Sequence, residues 1–420
     1  MKKVEPKNQT GIHILLIHQA FTALDEPGGT RHYEMAQSFI QHGHRVTVIT
    51  SPVSYLTGKA AEKKIRWVSY ENPQPGLEIL RTYTSPALHR SFFHRLLSFF
   101  SFMFSSFFVG LGVKNVDVVW GTSPPIFQGW TAWRLARWKR VKFVFEIRDL
   151  WPAFAIAMNV VRNPIIIRLS NWLERFLYRH ADQLVVNSPG FIQHVTERGG
   201  RNIVLVPNGV DPQMFDPEDD GYEFKQQYHL NGAYVVLYSG AHGVSNDLEV
   251  ILSTARITAN NPHIVYVFVG DGKEKPNLQR LAEKWNLSNV RFVAPVPKEE
   301  MKSVLAAADA CVAILKPVEL YKTTYPNKVF DYMAAGRPVL CAIDGVIREV
   351  IETAHAGLFV PPGDPSALAI AVLKLSSQPD QSREMGLHGR KYVEQYFDRR
   401  VIADSMENLL LDAAARRNTR

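Results

Sequence analysis

In the stretch TTYPNKVFDYMAAGRPVL (323–340) a lysine and an aspartate stand three residues apart, Lys328 and Asp331. Residues three or four apart share one face of a helix. The small residues Ala334, Ala335 and Gly336 follow, then Arg337-Pro338 and an apolar run. A helix start beside a lysine suits a phosphate, and an aspartate on the same face can hold hydroxyls. A nucleotide-sugar carries both groups and fits this set better than a metal, a nucleic acid or a protein partner does. In this assignment Lys328 neutralises diphosphate charge and Asp331 accepts ribose hydroxyls, with Tyr325 and Asn327 in the same donor-binding set. The plainer alternative is a solvated helix face with an ordinary ion pair. Glu319, Tyr321, Lys322, Thr323 and Tyr325 form a polar loop before Pro326, of the kind that closes over a bound sugar.

Other loops follow apolar runs closely. Gly28 and Gly29 lie between the first such run and a helical stretch. Glycines there let backbone N–H groups approach a ligand, although a mere turn reads the same way. The spacing is not GxGxxG and no GxxxxGK[ST] occurs, so neither NAD nor ATP is implied. In FEIRDLWP, Arg148 and Asp149 end a strand-like run, where open α/β sheets present residues to their crevice. Either could touch the sugar or the acceptor; a local ion pair or a helix cap is the alternative. In YSGAHGVSNDLE, Gly240, His242 and Gly243 form a flexible turn, and Asn246 is placed to cap the next helix. In VFVGDGKEK, Gly270, Gly272 and Lys273 repeat the arrangement. Each loop alone could simply turn the chain. Their convergence with 323–337 on one strand-end face favours a phosphate ligand. The catalytic set is Lys328, Arg148 and Asp149.

The elements that must position these residues alternate. IHILLI (12–17), RVTVIT (45–50), DVVWG (117–121), KFVFEIRD (142–149), QLVVNS (183–188) and IVLVP (203–207) read as strands, with a helix from Arg31 to His42. A second series has strands at 234–240, 264–270, 290–295, 310–315 and 337–342, and helices at Leu248–Ala259, Leu278–Trp285 and Glu299–Ala307. The βα repeat implies two doubly wound α/β domains with parallel sheets, their strand ends facing a cleft. The Asp- and Pro-rich segment 207–220 divides them. The organisation expected is 1–212, 213–385, and C-terminal helices 386–420 that pack back on the first domain.

A chain of 420 residues with 46% apolar composition is long enough for two sizeable cores. Its two cysteines, Cys311 and Cys341, both lie beside apolar runs. Buried free thiols are expected, which favours the reducing cytoplasmic side. The polar start MKKVEPKNQT does not read as a signal peptide. The net charge of +8 is concentrated: residues 81–148 hold ten Lys or Arg against Asp117 and Glu146. Such a lobe attracts anionic lipid or a diphosphate head group. Basic and aromatic residues do not alternate as a single-strand platform would need, so nucleic acid is not expected. LLSFFSFMFSSFFVGLGV (96–113) holds six phenylalanines and no charge, just after His89, Arg90, His94 and Arg95. It could pack internally, lie on a bilayer or span it. Spanning would split a continuous domain, so association near 91–113 without spanning is expected, with the protein peripheral on the inner face of the membrane.

Taken together, YPNKVFDYMAAGRPVL, PNGVD (207–211), FVGDG (268–272), the Gly-Gly loop and AGLFVPPGD (356–364) resemble glycosyltransferase family 4, with the GT-B fold. EIRDLWP and the apolar insert resemble its bacterial surface-polysaccharide branch, including enzymes that move N-acetylfucosamine-type sugars. The resemblance implies retaining transfer from a UDP-sugar, of an N-acetylated hexosamine or deoxyhexosamine, with no metal or cofactor. The implied acceptor is a polyprenyl-diphosphate-linked sugar. The family's Glu-x7-Glu pair falls on Thr323 and Asp331, and its phosphate-binding Arg and Lys are absent from SGAHGVSND, which leaves Lys328 to supply charge. A sugar-nucleotide epimerase of the same plan and a catalytically weak sugar-nucleotide binder are the alternatives.

Overall fold

The computed structural model describes residues 11–23, 29–54, 58, 65–86 and 92–416. In the first lobe the strands are β1 (His13–Ile17), β2 (Arg45–Thr50), β3 (Val68–Gln74), β4 (Leu77–Thr82), β5 (Val118–Ser123), β6 (Lys142–Ile147), β7 (Gln183–Val186) and β8 (Ile203–Leu205). They lie in the order β3-β4-β2-β1-β5-β6-β7-β8. The second lobe has β9 (Tyr234–Ser239), β10 (Ile264–Val269), β11 (Val290–Val293), β12 (Ala310–Ile314), β13 (Val339–Ala342) and β14 (Gly357–Phe359), in the order β11-β10-β9-β12-β13-β14. The second sheet is wholly parallel among the described residues. In the first, among the described residues, only β3 and β4 pair antiparallel. These are two doubly wound α/β lobes.

Strands such as HILLI and IVYVFV are apolar at nearly every position because helices cover both faces of each sheet. On one face of the first sheet Leu15, Phe102, Leu135, Phe145 and Leu177 form a core. Ile14, Phe39, Trp120, Met406 and Leu410 form another on the opposite face. Cys311 and Cys341 are buried free thiols in β12 and β13. The β3–β4 hairpin has no counterpart among the strands expected from sequence. VSYENPQ lies half exposed and carries no apolar run to reveal it. Helix bounds shift as well: Lys275–Lys284 starts before the expected Leu278, and Met301–Ala306 follows a short 3-10 turn, Lys298–Glu300.

Both sheets reverse their winding beside a central strand, between β1 and β5 and between β9 and β12. Such reversals open a crevice at the strands' carboxyl ends, and the residues leaving β1, β5, β6, β9 and β10 stand there. The chain crosses between the lobes twice. Helix Pro379–Tyr396 still belongs to the second lobe, packed along helix Asn327–Ala334. At the crossing, Val210 N–H donates to Phe397 O (3.0 Å) and Arg399 N–H to Val210 O (2.8 Å). Helix Arg399–Ala415 then packs against helix Arg31–Gln41 of the first lobe. His42 Nδ1 and His44 Nε2 hold the two oxygens of Glu407 at 2.6 and 2.8 Å.

Candidate functional site

In the second lobe the loops leaving β9 and β10 are locked together through glycine. Gly240, Gly270 and Gly272 have φ of +131°, +140° and +157°, a region that side chains avoid. A Cβ on Gly270 would lie 2.0 Å from Gly240 O, and one on Gly272 2.5 Å from His242 O. Backbone bonds Gly240 N–H to Val269 O (2.9 Å) and His242 N–H to Asp271 O (2.8 Å) complete the contact. The two loops expected to converge thus touch. Gly243 differs, with a φ of −102° that any residue adopts. The turn at 242 is not loose, because His242 is fully buried. Both of its ring nitrogens lack a partner among the described residues. Burial, with Lys275 and Lys328 nearby, pushes its pKa down to about 4, so the ring is neutral. Asn246 does not cap the following helix; Asp247 occupies that position, without a side-chain cap bond.

Lys328 comes to these loops from helix Asn327–Ala334. Its Nζ sits 3.8 Å from the Tyr238 ring centroid, and a Cβ on Gly240 would lie 2.9 Å from it. Among the described residues no carboxylate pairs with this ammonium, and burial lowers its pKa to about 7. The first turn of the helix receives no side-chain cap, and Asn327 Oδ1 is buried without a partner among the described residues. An unpaired ammonium, open helix N–H groups and two glycine loops make a site for an anion.

Asp331 does not form the ordinary pair with Lys328. One of its oxygens is held by Lys298 Nζ at 2.6 Å, and that ammonium also stands 5.6 Å from the Phe215 ring centroid. Two expected donor residues lie elsewhere. The Tyr325 ring packs against Phe330 and Phe397, at centroid distances of 5.8 and 6.1 Å, from the extended stretch between the 3-10 turn Glu319–Thr323 and the helix start at Asn327. Lys273 is exposed; Lys275, one helical start later, is the lysine that folds back, onto Gly270 O (2.7 Å) and Val293 O (3.0 Å). The polar loop before Pro326 ties the lobes together. Ser188 Oγ donates to Thr323 O (2.5 Å), Asn208 Nδ2 donates to Tyr325 O (2.8 Å), and the Tyr321 and Phe154 rings lie 5.2 Å apart.

Across the cleft, Arg148 follows β6 and its Nη1 lies 3.2 Å from His18 Nε2, just past β1. Thr122 Oγ1, in β5, lies 2.9 Å from the other His18 nitrogen. The His18 ring also lies 4.3 Å from that of His32, tilted at 46°. Gly29 lies beside this group, 3.8 Å from Arg148 Nη2 as measured from a built Cβ; Gly28 lies outside the described residues. Glu146 anchors the set, with His32 Nε2 at 2.7 Å and Arg31 Nε at 3.1 Å. Burial opposes the Glu146 carboxylate, but His32 and Arg31 outweigh it and hold its pKa near 2. Burial keeps His18 and His32 neutral. Asp149 behaves oppositely: burial raises its pKa to about 7 although Arg148 opposes the rise. Sequence reasoning missed His18, Arg31, His32, Glu146 and Lys298. His18 follows IHILLI directly, so the strand-end argument used for Arg148 applies to it equally.

Two family models match the chain in tandem: "Glycosyl transferase 4-like domain" over residues 28–209 and "Glycosyl transferases group 1" over residues 233–378. The chain is 23% identical over 313 residues to the "Putative colanic acid biosynthesis glycosyl transferase WcaI" of Escherichia coli K12, covering 72% of this chain and 76% of that one. It is 27% identical over 238 residues to a "D-inositol 3-phosphate glycosyltransferase" of Corynebacterium jeikeium, covering 53% and 56%. Among solved structures, the sucrose-phosphate synthase of Thermosynechococcus elongatus superposes with a TM-score of 0.78 at 21% identity, over 96% and 99% of the two chains. WaaG, "a glycosyltransferase involved in lipopolysaccharide biosynthesis", gives a TM-score of 0.69 at 14% identity, over 94% and 99%. Anabaena HepE in complex with UDP and glucose gives 0.71 at 15%, over 96% and 100%.

Proposed function

We propose that this chain, a glycosyltransferase of the GT-B fold and the GT4-like group, moves a sugar from a UDP-sugar to a polyprenyl-diphosphate-linked acceptor with retention of configuration. The observation that carries the reading is Lys328. A desolvated ammonium that no carboxylate pairs among the described residues, standing over glycine loops at a sheet's reversal point, is costly unless an anion arrives. The leaving diphosphate is such an anion, and stabilising its developing charge is the main demand of the reaction. In this reading Lys328, the first-turn N–H groups of helix Asn327–Ala334 and the loop at Gly240 receive the diphosphate. Asp331, oriented by Lys298, accepts ribose hydroxyls. Arg148 and Asp149 act from the first lobe, where the acceptor approaches.

The sugar proposed is an N-acetylated hexosamine or deoxyhexosamine, and the setting is surface-polysaccharide synthesis, of O-antigen or capsule, at the cytoplasmic face of the membrane. The names of WcaI and WaaG support that setting. The basic stretch 81–148 and the apolar helix that ends at Gly112 support a lipid-linked acceptor. One described helix, Phe93–Gly112, is long and apolar enough to cross a membrane by length and composition. Incubation with UDP-N-acetylhexosamines, with and without a polyprenyl-diphosphate sugar, tests the reaction by mass. A glycosylated lipid product is expected. An epimerised nucleotide-sugar formed without any acceptor would replace transfer by epimerisation.

A further inference from the structure

Helix Phe92–Gly112 turns its serines inward beside Phe99 and Phe102 and keeps a second apolar row outside. Ser98, Ser105 and Ser106 are fully buried, whereas Phe93, Leu97, Phe100, Phe104 and Phe108 are exposed at steps of four, three, four and four residues. A helix covering a sheet in water keeps its outer row polar. Helix Pro164–His180 repeats the feature: Ile165, Leu169 and Trp172, at steps of four and three, are each more than half exposed, at 68%, 61% and 58%. Helix Phe127–Lys139 lies between them, in contact with both, and its Trp138 is exposed. All three cover the same face of the first sheet, because Phe102, Leu135 and Leu177 share one core.

An aromatic path links the two stripes. The Phe107 and Trp130 ring centroids are 6.4 Å apart, Arg134 Cζ stands 5.6 and 5.7 Å from those of Trp130 and Trp133, Trp133 meets Phe176 at 4.7 Å, and Phe176 stacks on Trp172 at 5.4 Å. The charges along it have one sign. The three helices carry Arg95, Arg134, Arg137, Lys139, Arg168, Arg175 and Arg179 against a single acid, Glu174. Glu174 is buried and held by Arg198 and His194.

We propose that helices Phe92–Gly112, Phe127–Lys139 and Pro164–His180 form one docking face for an anionic phospholipid bilayer, with Arg168, Arg175 and Arg179 of the third helix supplying headgroup contacts. The proposal rests on the membrane-surface reading above and extends it from one helix to three. Apolar stripes rimmed only by cations complement a surface with acyl chains below and phosphates above. Tryptophan beside arginine suits the layer between. Each helix runs back against the parallel strands, so its amino end, at Phe93, Phe127 or Ile165, lies toward the cleft. Phe127 meets the Trp151 ring there, at 5.7 Å, two residues beyond Asp149. A lipid-linked acceptor lying in the bilayer would present its head group at that edge.

Co-sedimentation of the full chain with vesicles tests this, comparing phosphatidylcholine alone with an equal mixture of phosphatidylcholine and phosphatidylglycerol. The wild type is expected to bind the mixed vesicles and to release in high salt. R168Q/R175Q/R179Q should weaken that binding roughly 100-fold, at about fivefold per arginine, and I165S/L169S/W172S should weaken it at least as much. Transfer to a short-chain, water-soluble acceptor should be unchanged in both, which separates lost docking from lost folding or catalysis. If both variants bind as the wild type does while F100S/F104S/F108S does not bind, the face is confined to the first helix and the inference is overturned. Absence of wild-type binding to either vesicle overturns the inference and the membrane reading beneath it, yet leaves donor-dependent transfer standing. A concentration-dependent dimer formed through this face, without vesicle binding, overturns the same two readings.

Discussion

Replacing Lys328 by methionine keeps the side chain's reach and removes its charge. In the nucleotide-free protein that charge is a burden. A pKa lowered from 10.5 to about 7 corresponds to about 4 kcal/mol of burial cost at neutral pH. The cation over the Tyr238 ring returns about 1 kcal/mol, so Lys328→Met should stabilise the free protein by about 3 kcal/mol. For a lobe of this size that raises the melting temperature by about 6–12 °C. The sign follows from linkage. The unfolded lysine holds its proton up to about 10.5 while the folded one releases it near 7, so the burden is fully present below pH 7 and fades as pH rises toward 10.5. The gain in the variant should therefore be largest at pH 6 and shrink steadily above 7. Nucleotide should reverse the order. UDP should raise the wild-type melting temperature by mass action, and the variant should bind UDP roughly 10- to 100-fold more weakly, having lost a charged contact. Scanning calorimetry at several pH values and titration calorimetry with UDP supply both measurements. A variant that melts no higher than the wild type at pH 6 and binds UDP equally well would refute the argument, and near-normal turnover would remove Lys328 from the mechanism.

Asp331→Ala should raise the UDP dissociation constant about tenfold, since it removes an acceptor of ribose hydroxyls and frees Lys298; unchanged affinity in titration calorimetry counts against the ribose assignment. Burial lifts Asp149 to about 7, so kcat/KM should show an inflection near that pH. Asp149→Asn should abolish the inflection, and a profile unaltered by the change would place Asp149 outside the reaction. Asp149 is stabilising as its neutral form below about 3.8, and that contribution is lost as pH rises through 7, so the same variant should also gain stability at pH 8, read by urea unfolding. Glu407 raises the pKa of His42 through a hydrogen bond. This docking energy is complete below about 6.5 and is lost as pH rises through the raised value. Hydrogen exchange of 399–415 should accelerate on going from pH 6 to pH 8 by more than the intrinsic rate, and Glu407→Gln should remove that excess.

The strands were legible because parallel strands buried on both faces must be apolar throughout, as IVYVFV is. The polar hairpin strand VSYENPQ obeys no such demand and passed unseen. The glycine loops and Lys328 were legible for a related reason: glycine directly after an apolar run marks a backbone that turns sharply at a strand end. Tyr325 misled because a tyrosine in a polar loop reads as exposed, whereas its ring completes a core with Phe330 and Phe397. The charge pairs of both lobes were hidden by distance along the chain. Arg31 and Glu146 are 115 residues apart, and Lys298 and Asp331 are 33 apart. No local pattern says that two such charges will meet.

The two crossings between the lobes lie side by side, with Val210 bonded to both Phe397 and Arg399. One tether would let the halves swivel in any direction. Two tethers joined at the same point act as the paired knuckles of a door, leaving bending about one line and resisting twist. Opening and shutting over a donor would then retrace the same arc each time. A chain ended before Asp398 would lose that constraint and also uncover the side of the first lobe that Met406 and Leu410 close, so the groups on either side of the gap would meet only by chance.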